Sequence, residues 1–328
     1  MNKTNDNFGE EVLIPDATTN DFGVMGTSHL HFENGGDLQL GLRFDRRSIE
    51  GQANGDPAEE GFIDALDRSF NSFNAAVGYK TDFLKNLTGR INLASGFRAP
   101  NLAELTSNGV HEGTNRYEIG NPDLSNERNI QTDLSLEYKN KHVEFYVNGF
   151  YNAVQEYIFI EPNGEFVGED AVFEYRQQDA DLYGGEIGLH LHPHPLDWLH
   201  LESSFETVTG TSQDDESLPL IPANTLTNTL RLEFSGNRKN IKSGYAFVTL
   251  RSVFDQDKVS AFETPTDGYT ILNLGVGGTL MLIKQKLNIR ISANNVLDKA
   301  YVSHLSRLKT DGIPNIGRNI NVGVSIPL

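Results

Sequence analysis

The chain has 328 residues and 45 acidic against 27 basic side chains, a formal charge of −18 that sets it against nucleic acid, whose phosphates it would repel. Cysteine is absent, which excludes disulfides, thiolate metal sites and cysteine nucleophiles. No apolar run approaches the ~18 residues that a spanning helix needs. The mean hydropathy of −0.41 does not exclude a spanning β-barrel, because half of each barrel strand faces water.

The pattern predicts about thirteen strand segments, near 22–32, 37–47, 68–80, 86–98, 127–138, 142–160, 171–192, 198–210, 223–236, 241–254, 268–282, 286–297 and 316–327. Period-two alternation puts successive side chains on opposite faces. In 37–47, Leu38, Leu40, Leu42 and Phe44 share one face and Gln39 and Arg43 the other. In 127–138, Ile130, Leu134, Leu136 and Tyr138 oppose Gln131, Asp133, Ser135 and Glu137. In 223–236, Leu226, Leu230, Leu232 and Phe234 oppose Thr227, Thr229, Arg231 and Glu233. In 286–297, Leu287, Ile289, Ile291 and Ala293 oppose Asn288, Arg290 and Ser292, and in 316–327, Ile320, Val322, Val324 and Ile326 oppose Asn319, Asn321 and Ser325.

The joints alternate in length. Short ones fall at 33–36, 81–85, 139–140, 194–197, 236–240 and 283–285, long ones at 48–67, 99–126, 161–170, 211–222, 255–267 and 298–315. An up-and-down barrel puts odd and even joints on opposite sides, and outer-membrane barrels have tight periplasmic turns and long extracellular loops. A soluble Greek-key sandwich has no reason to follow this rule. The expected fold is therefore all-β, a transmembrane antiparallel up-and-down β-barrel. With the last strand ending on the short-turn side, residues 1–21 fall in an extracellular loop segment and 22–328 form the barrel portion. The first residues, MNKTNDNFGEEV, lack the basic region and apolar core of a signal peptide. The expectation is that the chain is the back part of a longer protein.

GFRAPNLAEL (96–105), GNPDLSNER (120–128), SANNVLDKAYVSHLSR (292–307) and GRNINVGVSIPL (317–328) resemble motifs of TonB-dependent outer-membrane receptors. The resemblance runs from about residue 10 to the C-terminus. It implies a 22-stranded barrel filled by an N-terminal plug, of which about 13 strands would be present here, with the plug absent. The family usually ends in an aromatic residue, whereas this chain ends in Leu328. NGVHEGTNRYEIGNPDL (108–124), YRQQDADLYGGEIGLHLHPHP (175–195), and QDKVSAFETPTDGYTILNLG (256–275) with VSHLSRL (302–308) resemble the zinc and heavy-metal uptake receptors within that family. The resemblance implies active uptake across the cell outer membrane, powered by the TonB complex acting through the plug. Its partners would be outer-membrane lipid and a metal ion or metal chelate. No cofactor is implied; zinc would be transported substrate. Siderophore, haem and cobalamin receptors share the scaffold, and a passive porin, an adhesin-like barrel or a soluble carbohydrate-binding β-protein are the readings from other classes.

His111 and Glu112 fall in the longest loop and supply the imidazole and carboxylate that zinc favours. In the zinc-uptake subfamily a histidine of this loop resembles a substrate ligand. His304, in the last long loop, is the third candidate. The run HLHPHPLDWLH (190–200) falls on the periplasmic side, where His and Trp198 read as part of the interfacial girdle rather than as a metal site. Acids cluster at Asp56, Glu59, Glu60 and Asp64, at Glu161, Glu165, Glu169 and Asp170, and at Asp214, Asp215 and Glu216. They read first as solvated loop and second as a field that draws cations. None has EF-hand spacing. Arg98, Pro100 and Asn101 read as structural, and Asp133, Glu137, Glu233, Arg231 and Arg290 as lumen-lining charges that pair with a plug. No Gly-rich phosphate loop, G-x-S-x-G elbow or H-E-x-x-H helix is present, so no enzyme activity is expected.

Overall fold

Among the described residues, the computed structural model contains sixteen strands and one short helix. In order they are β1 (Asn2–Asn5), β2 (Ala17–His31), β3 (Asp37–Gly51), β4 (Leu66–Leu84), β5 (Leu87–Arg98), α1 (Leu102–Thr106), β6 (Asn108–His111) and β7 (Arg116–Ile119). There follow β8 (Glu127–Lys139), β9 (Val143–Val167), β10 (Asp170–Leu191), β11 (Leu199–Ser212), β12 (Thr225–Arg238), β13 (Ile241–Val253), β14 (Tyr269–Leu282), β15 (Gln285–Asn294) and β16 (Asn319–Ser325). The structure describes every residue except 9–11, 34, 60, 112, 115, 239–240, 283–284 and 328, and leaves the side chains of 236–238 undescribed.

Each strand pairs with the next in sequence, except that β5 pairs directly with β8 across the α1–β6–β7 excursion. All these ladders are antiparallel; β7 joins β10 in parallel. Among the described residues β1 and β16 are the outer strands and do not pair with each other, so the barrel is not closed.

Register explains the two faces. Phe44 of β3 lies opposite Val24 and Phe73, and Leu40 opposite Ser28 and Val77. The apolar row continues through Ile91 paired with Leu134, Leu136 with Val147, Leu201 with Leu230, Leu230 with Val248 and Ile291 with Val322. On the opposite face, charges meet charges: Arg47 with Asp21 at 2.6 Å, Arg90 with Glu137 at 3.3 Å, and Arg231 with Glu202 at 3.1 Å and Glu233 at 3.4 Å. Of the expected lumen charges, Arg231 pairs with Glu233, Glu137 pairs with Arg90, and Asp133 accepts from Gln131 at 2.7 Å.

The apolar rows are not inside the chain. Among the described residues, forty-eight large hydrophobic side chains are exposed and sixteen hydrophobic residues are buried. Each exposed Leu, Ile or Phe forgoes a share, set by its exposure, of the about 1.5–3 kcal/mol that full burial would supply. A continuous apolar face of this kind needs an apolar neighbour, and hydrocarbon supplies one. Its short-turn edge carries Phe32, Phe83, Tyr138, Phe145, Trp198 and Phe234, all at least 36 % exposed, a girdle of amphipathic or aromatic rings where a bilayer would meet water.

All thirteen expected strands form. Residues 1–21 were expected as loop, yet Asn2–Asn5 pair with Ala17–Asn20 in the β1–β2 ladder. The stretch 81–85 is mostly strand, with β4 running to Leu84. The largest difference is at 161–170: β9 and β10 continue as a hairpin of 25 and 22 residues to a turn at Gly168 and Glu169. Pro162, Asn163 and Gly164 look like a turn but form a bulge, in which 163–165 bow out against Val172 and Gly164 takes φ +90°. At ~3.3 Å per residue the hairpin is roughly 70–80 Å long, well beyond the ~25 Å apolar band of an outer-membrane barrel. At the short joints expected at 236–240 and 283–285, β12 runs to Arg238 and β15 begins at Gln285, and 239–240 and 283–284 lie outside the described residues.

Candidate metal-binding site on the long-loop side

The segment 99–126 folds back on the polar face instead of hanging free. Pro100 ends β5 because it has no N–H for the ladder, and it is fully buried. Asn101 caps α1: its side chain accepts from the Glu104 N–H at 2.9 Å, and the Glu104 carboxylate accepts from the Asn101 N–H at 2.8 Å. Arg98 anchors this turn. Its guanidinium forks onto Glu127 with two 2.7 Å bonds and reaches Glu104 at 2.7 and 2.8 Å. Below, Ile49, Leu66, Phe70, Ala99, Leu105, Leu124 and Ile158 form the larger buried apolar cluster. Gly120 closes the excursion: its N–H donates to Ser107 at 2.6 Å, and a Cβ there would sit 2.5 Å from the Thr106 nitrogen. Arg98, Pro100 and Asn101 are structural, as their sequence pattern suggested.

The excursion holds His111 at the end of β6, paired across the hairpin with Arg116. Diagonal to it, Glu118 is 2 % exposed and accepts from His111 Nδ1 at 2.8 Å, Arg116 Nε at 2.7 Å and the Tyr175 hydroxyl at 3.1 Å. Burial works to raise the Glu118 carboxyl, but the donors His111 and Arg116 outweigh it and hold it below the usual carboxylate range. An ionised carboxylate only accepts, so Nδ1 of His111 carries the proton and Nε2 is the nitrogen a ligand would meet. A buried carboxylate fixing the tautomer of a histidine is how protein metal sites orient imidazole. Glu112 lies outside the described residues. Glu118 was missed in the sequence, although it stands within the stretch 108–124 and alternates with Tyr117 and Ile119.

His304 sits elsewhere, in a hub that ties three long loops together. Its Nδ1 lies 2.8 Å from Thr266 Oγ1 and 3.3 Å from Lys309 Nζ. Its Nε2 is buried, lacks a hydrogen bond among the described residues and lies 3.9 Å from Glu263 Oε1. Glu263 in turn accepts from the Leu220 N–H at 2.9 Å and from Ser260. Burial, with Lys309 beside it, holds the His304 imidazole below its ordinary value. At 6 % exposure His304 meets a ligand only if the loops part.

Among the described residues, two trios have ligand atoms within 4.8 Å of one another: His29, His31 and Asp37, and His142, His192 and Asp197. Neither includes His111 or His304, and no trio includes the acidic loop clusters. Both trios lie at the short-turn end. Glu161, expected in a loop, pairs with Arg176 at 3.1 Å within the long hairpin.

A TonB dependent receptor-like β-barrel family model matches residues 2–296. Among solved structures, the copper transporter OprC aligns with a TM-score of 0.77 at 20 % identity, over 94 % of this chain and 48 % of that one. The FrpB iron transporter from Neisseria meningitidis (F3-3 variant) aligns with a TM-score of 0.68 at 18 % identity, over 95 % and 46 %. The Serratia marcescens hemophore receptor HasR, solved with its hemophore HasA and heme, gives 0.68 at 16 % identity, over 95 % and 52 %. The chain spans about half the length of these structures. With its two-faced wall and its polar-face excursion, the chain belongs to the TonB-dependent receptor-like β-barrel family.

Proposed function

We propose that this chain forms barrel wall and substrate-facing loops of an outer-membrane receptor that takes up a metal ion or metal chelate with energy from the TonB complex. Zinc is the proposed substrate. The observation that carries this reading is His111 held by the buried Glu118 on the long-loop side, an imidazole whose outer nitrogen is set up for a borderline cation. The long loops face outward in this reading and the short turns face the periplasm. The barrel does no bond chemistry; ligands from these loops and from a plug share the cargo. The copper, iron and heme named for the similar structures support metal-linked cargo without choosing among ions.

The test is zinc accumulation by cells expressing the receptor, with and without TonB, and with His111→Ala or Glu118→Gln. TonB-dependent zinc accumulation that falls at least about tenfold in both variants is expected, since even the hydrogen-bonding neighbour of a ligand sets affinity by about 10–100-fold. Accumulation independent of TonB points to a passive pore. Zinc accumulation unaffected by the variants, or uptake of iron chelates in place of zinc, contradicts the zinc assignment.

A further inference from the structure

Five of the nine histidines meet at the short-turn end of one stretch of wall. His142 comes from the β8–β9 turn, His190 from the end of β10, His192 and His194 from the β10–β11 turn, and His200 from the start of β11. Ring centroids lie 5.5 Å apart for His142–His192, 5.8 Å for His142–His194, 5.5 Å for His190–His192 and 5.6 Å for His192–His200. His190 Nε2 and His200 Nδ1 are 2.9 Å apart, a hydrogen bond that needs one of them to offer a bare lone pair. Asp197 lies 3.3 Å from His194 Nδ1 and 4.0 Å from His142 Nδ1.

An interfacial girdle does not account for these rings. His190 stands in register with Glu144 and Glu202, on the polar face, while Leu189, Leu191 and Leu201 carry the apolar one. The donor set is imidazole nitrogen and carboxylate oxygen. The neighbouring base, Arg231, is paired with Glu202 and Glu233. Such a set suits a borderline first-row divalent cation rather than an anion.

We infer that His142, His192 and Asp197 form a binding site for a divalent transition-metal cation of the zinc class, with His194 or a water as fourth donor. Their ligand atoms lie within 4.8 Å of one another. A tetrahedral site with bonds of about 2.0–2.2 Å brings its donors to about 3.3–3.5 Å. Rotation of Asp197, 59 % exposed, closes much of that gap. His142 Nδ1 lies 3.2 Å from the His192 carbonyl and 4.0 Å from Asp197 Oδ1, so the ring stands between the turn backbone and the carboxylate. In the orientation proposed above, this is the exit rim of the lumen, where an ion leaving the barrel meets strong ligands. That role rests on the uptake reading; the site itself does not.

The test uses untagged receptor in detergent, stripped with chelator and carrying His29→Ala, His31→Ala and His111→Ala to silence the neighbouring trio and the long-loop histidine. Cobalt(II) is titrated and its visible ligand-field absorption followed, then zinc is added in competition. One bound equivalent with the intense absorption of a tetrahedral site is expected, displaced by zinc. Asp197→Asn weakens it by roughly tenfold or more, and His142→Ala with His192→Ala abolishes it. Absence of the band in the parent, or its survival in the double histidine variant, overturns the site. Far-UV circular dichroism and heat-modifiable electrophoretic mobility report folding, and the exposed Asp197→Asn keeps the test decisive should the double variant misfold. A failed titration beside intact zinc uptake removes the rim site alone, and the converse result removes the uptake reading alone.

Discussion

Replacing Arg98 by alanine should release the 99–126 excursion without dissolving the wall. Arg98 is the sole cation bonded to both Glu104 and Glu127 among the described residues, and those side chains are 11 % and 12 % exposed. Breaking a buried pair by removing one partner costs about 3–5 kcal/mol, because the remaining charge is left uncompensated. Arg98 is itself 41 % exposed, so solvent screens part of that loss, and about 2–4 kcal/mol remains. At about 1.4 kcal/mol per decade this raises the opening equilibrium of the excursion by roughly 30- to 1,000-fold. Hydrogen exchange at the amides of Leu105, Ser107, Gly120 and Asn121 reads it, since each donates to a backbone carbonyl within the excursion. Arg98→Lys keeps a charge but loses the fork and should fall between. Unchanged protection in Arg98→Ala, or equal loss of protection across β13 and β14, would refute the assignment of Arg98 as the anchor.

Gly120→Val should loosen the same segment, because its side chain meets the backbone of Thr106 and Ser107 at 2.5 and 2.6 Å; limited proteolysis after 99–126 checks it. Leu134→Arg, on the apolar face at 57 % exposure, should cost about 2–4 kcal/mol in refolding into lipid if the site lies near the midplane, against a far smaller effect for Gln131→Arg on the other face. Acid should loosen the loop hub of His304, Thr266, Lys309 and Glu263. Folding holds the His304 proton affinity below its unfolded value of about 6.5, so the unfolded state takes the proton first as pH falls. The hub's stability is full above about pH 6.5 and is lost as pH drops through the lower folded value. Amide exchange at Leu220 and Ser260, corrected for intrinsic rate, should rise on acidification, and His304→Gln should flatten that response.

The wall was legible because a single physical variable, which face a side chain takes, repeats along thirteen strands. Rows such as Leu38, Leu40, Leu42 and Phe44 fix strand, register and face together. The excursion was not legible because its interior is polar. Glu104, Thr106, Ser107 and Glu118 are buried there, so hydropathy reads the segment as solvated loop. Its strands are four residues long and its helix five, too short for periodicity to register. The Asn101–Glu104 capping signal was nevertheless in view, with the cap and its carboxylate three residues apart. At 161–170, Pro162 and Gly164 imitated a turn and hid a bulge. His142 stands some fifty residues before the 190–200 run, so sequence proximity does not join them. In an up-and-down sheet, the β8–β9 and β10–β11 turns share an end, so His142 and His192 were bound to be neighbours.

The central claim is that one face of this wall meets hydrocarbon and the other meets water. The native chain has no cysteine, so spin labels can be placed singly at 130–137 in β8 and at 320–325 in β16 of the receptor reconstituted in lipid. Collision with dissolved oxygen and with a water-soluble nickel chelate then reports the surroundings of each label. Oxygen access should peak at Ile130, Leu134, Leu136, Ile320, Val322 and Val324, and chelate access at Gln131, Asp133, Ser135 and Asn321, with period two. Equal access of the chelate to both sets, or exclusion of both reagents from the Leu, Ile and Val rows, would contradict it.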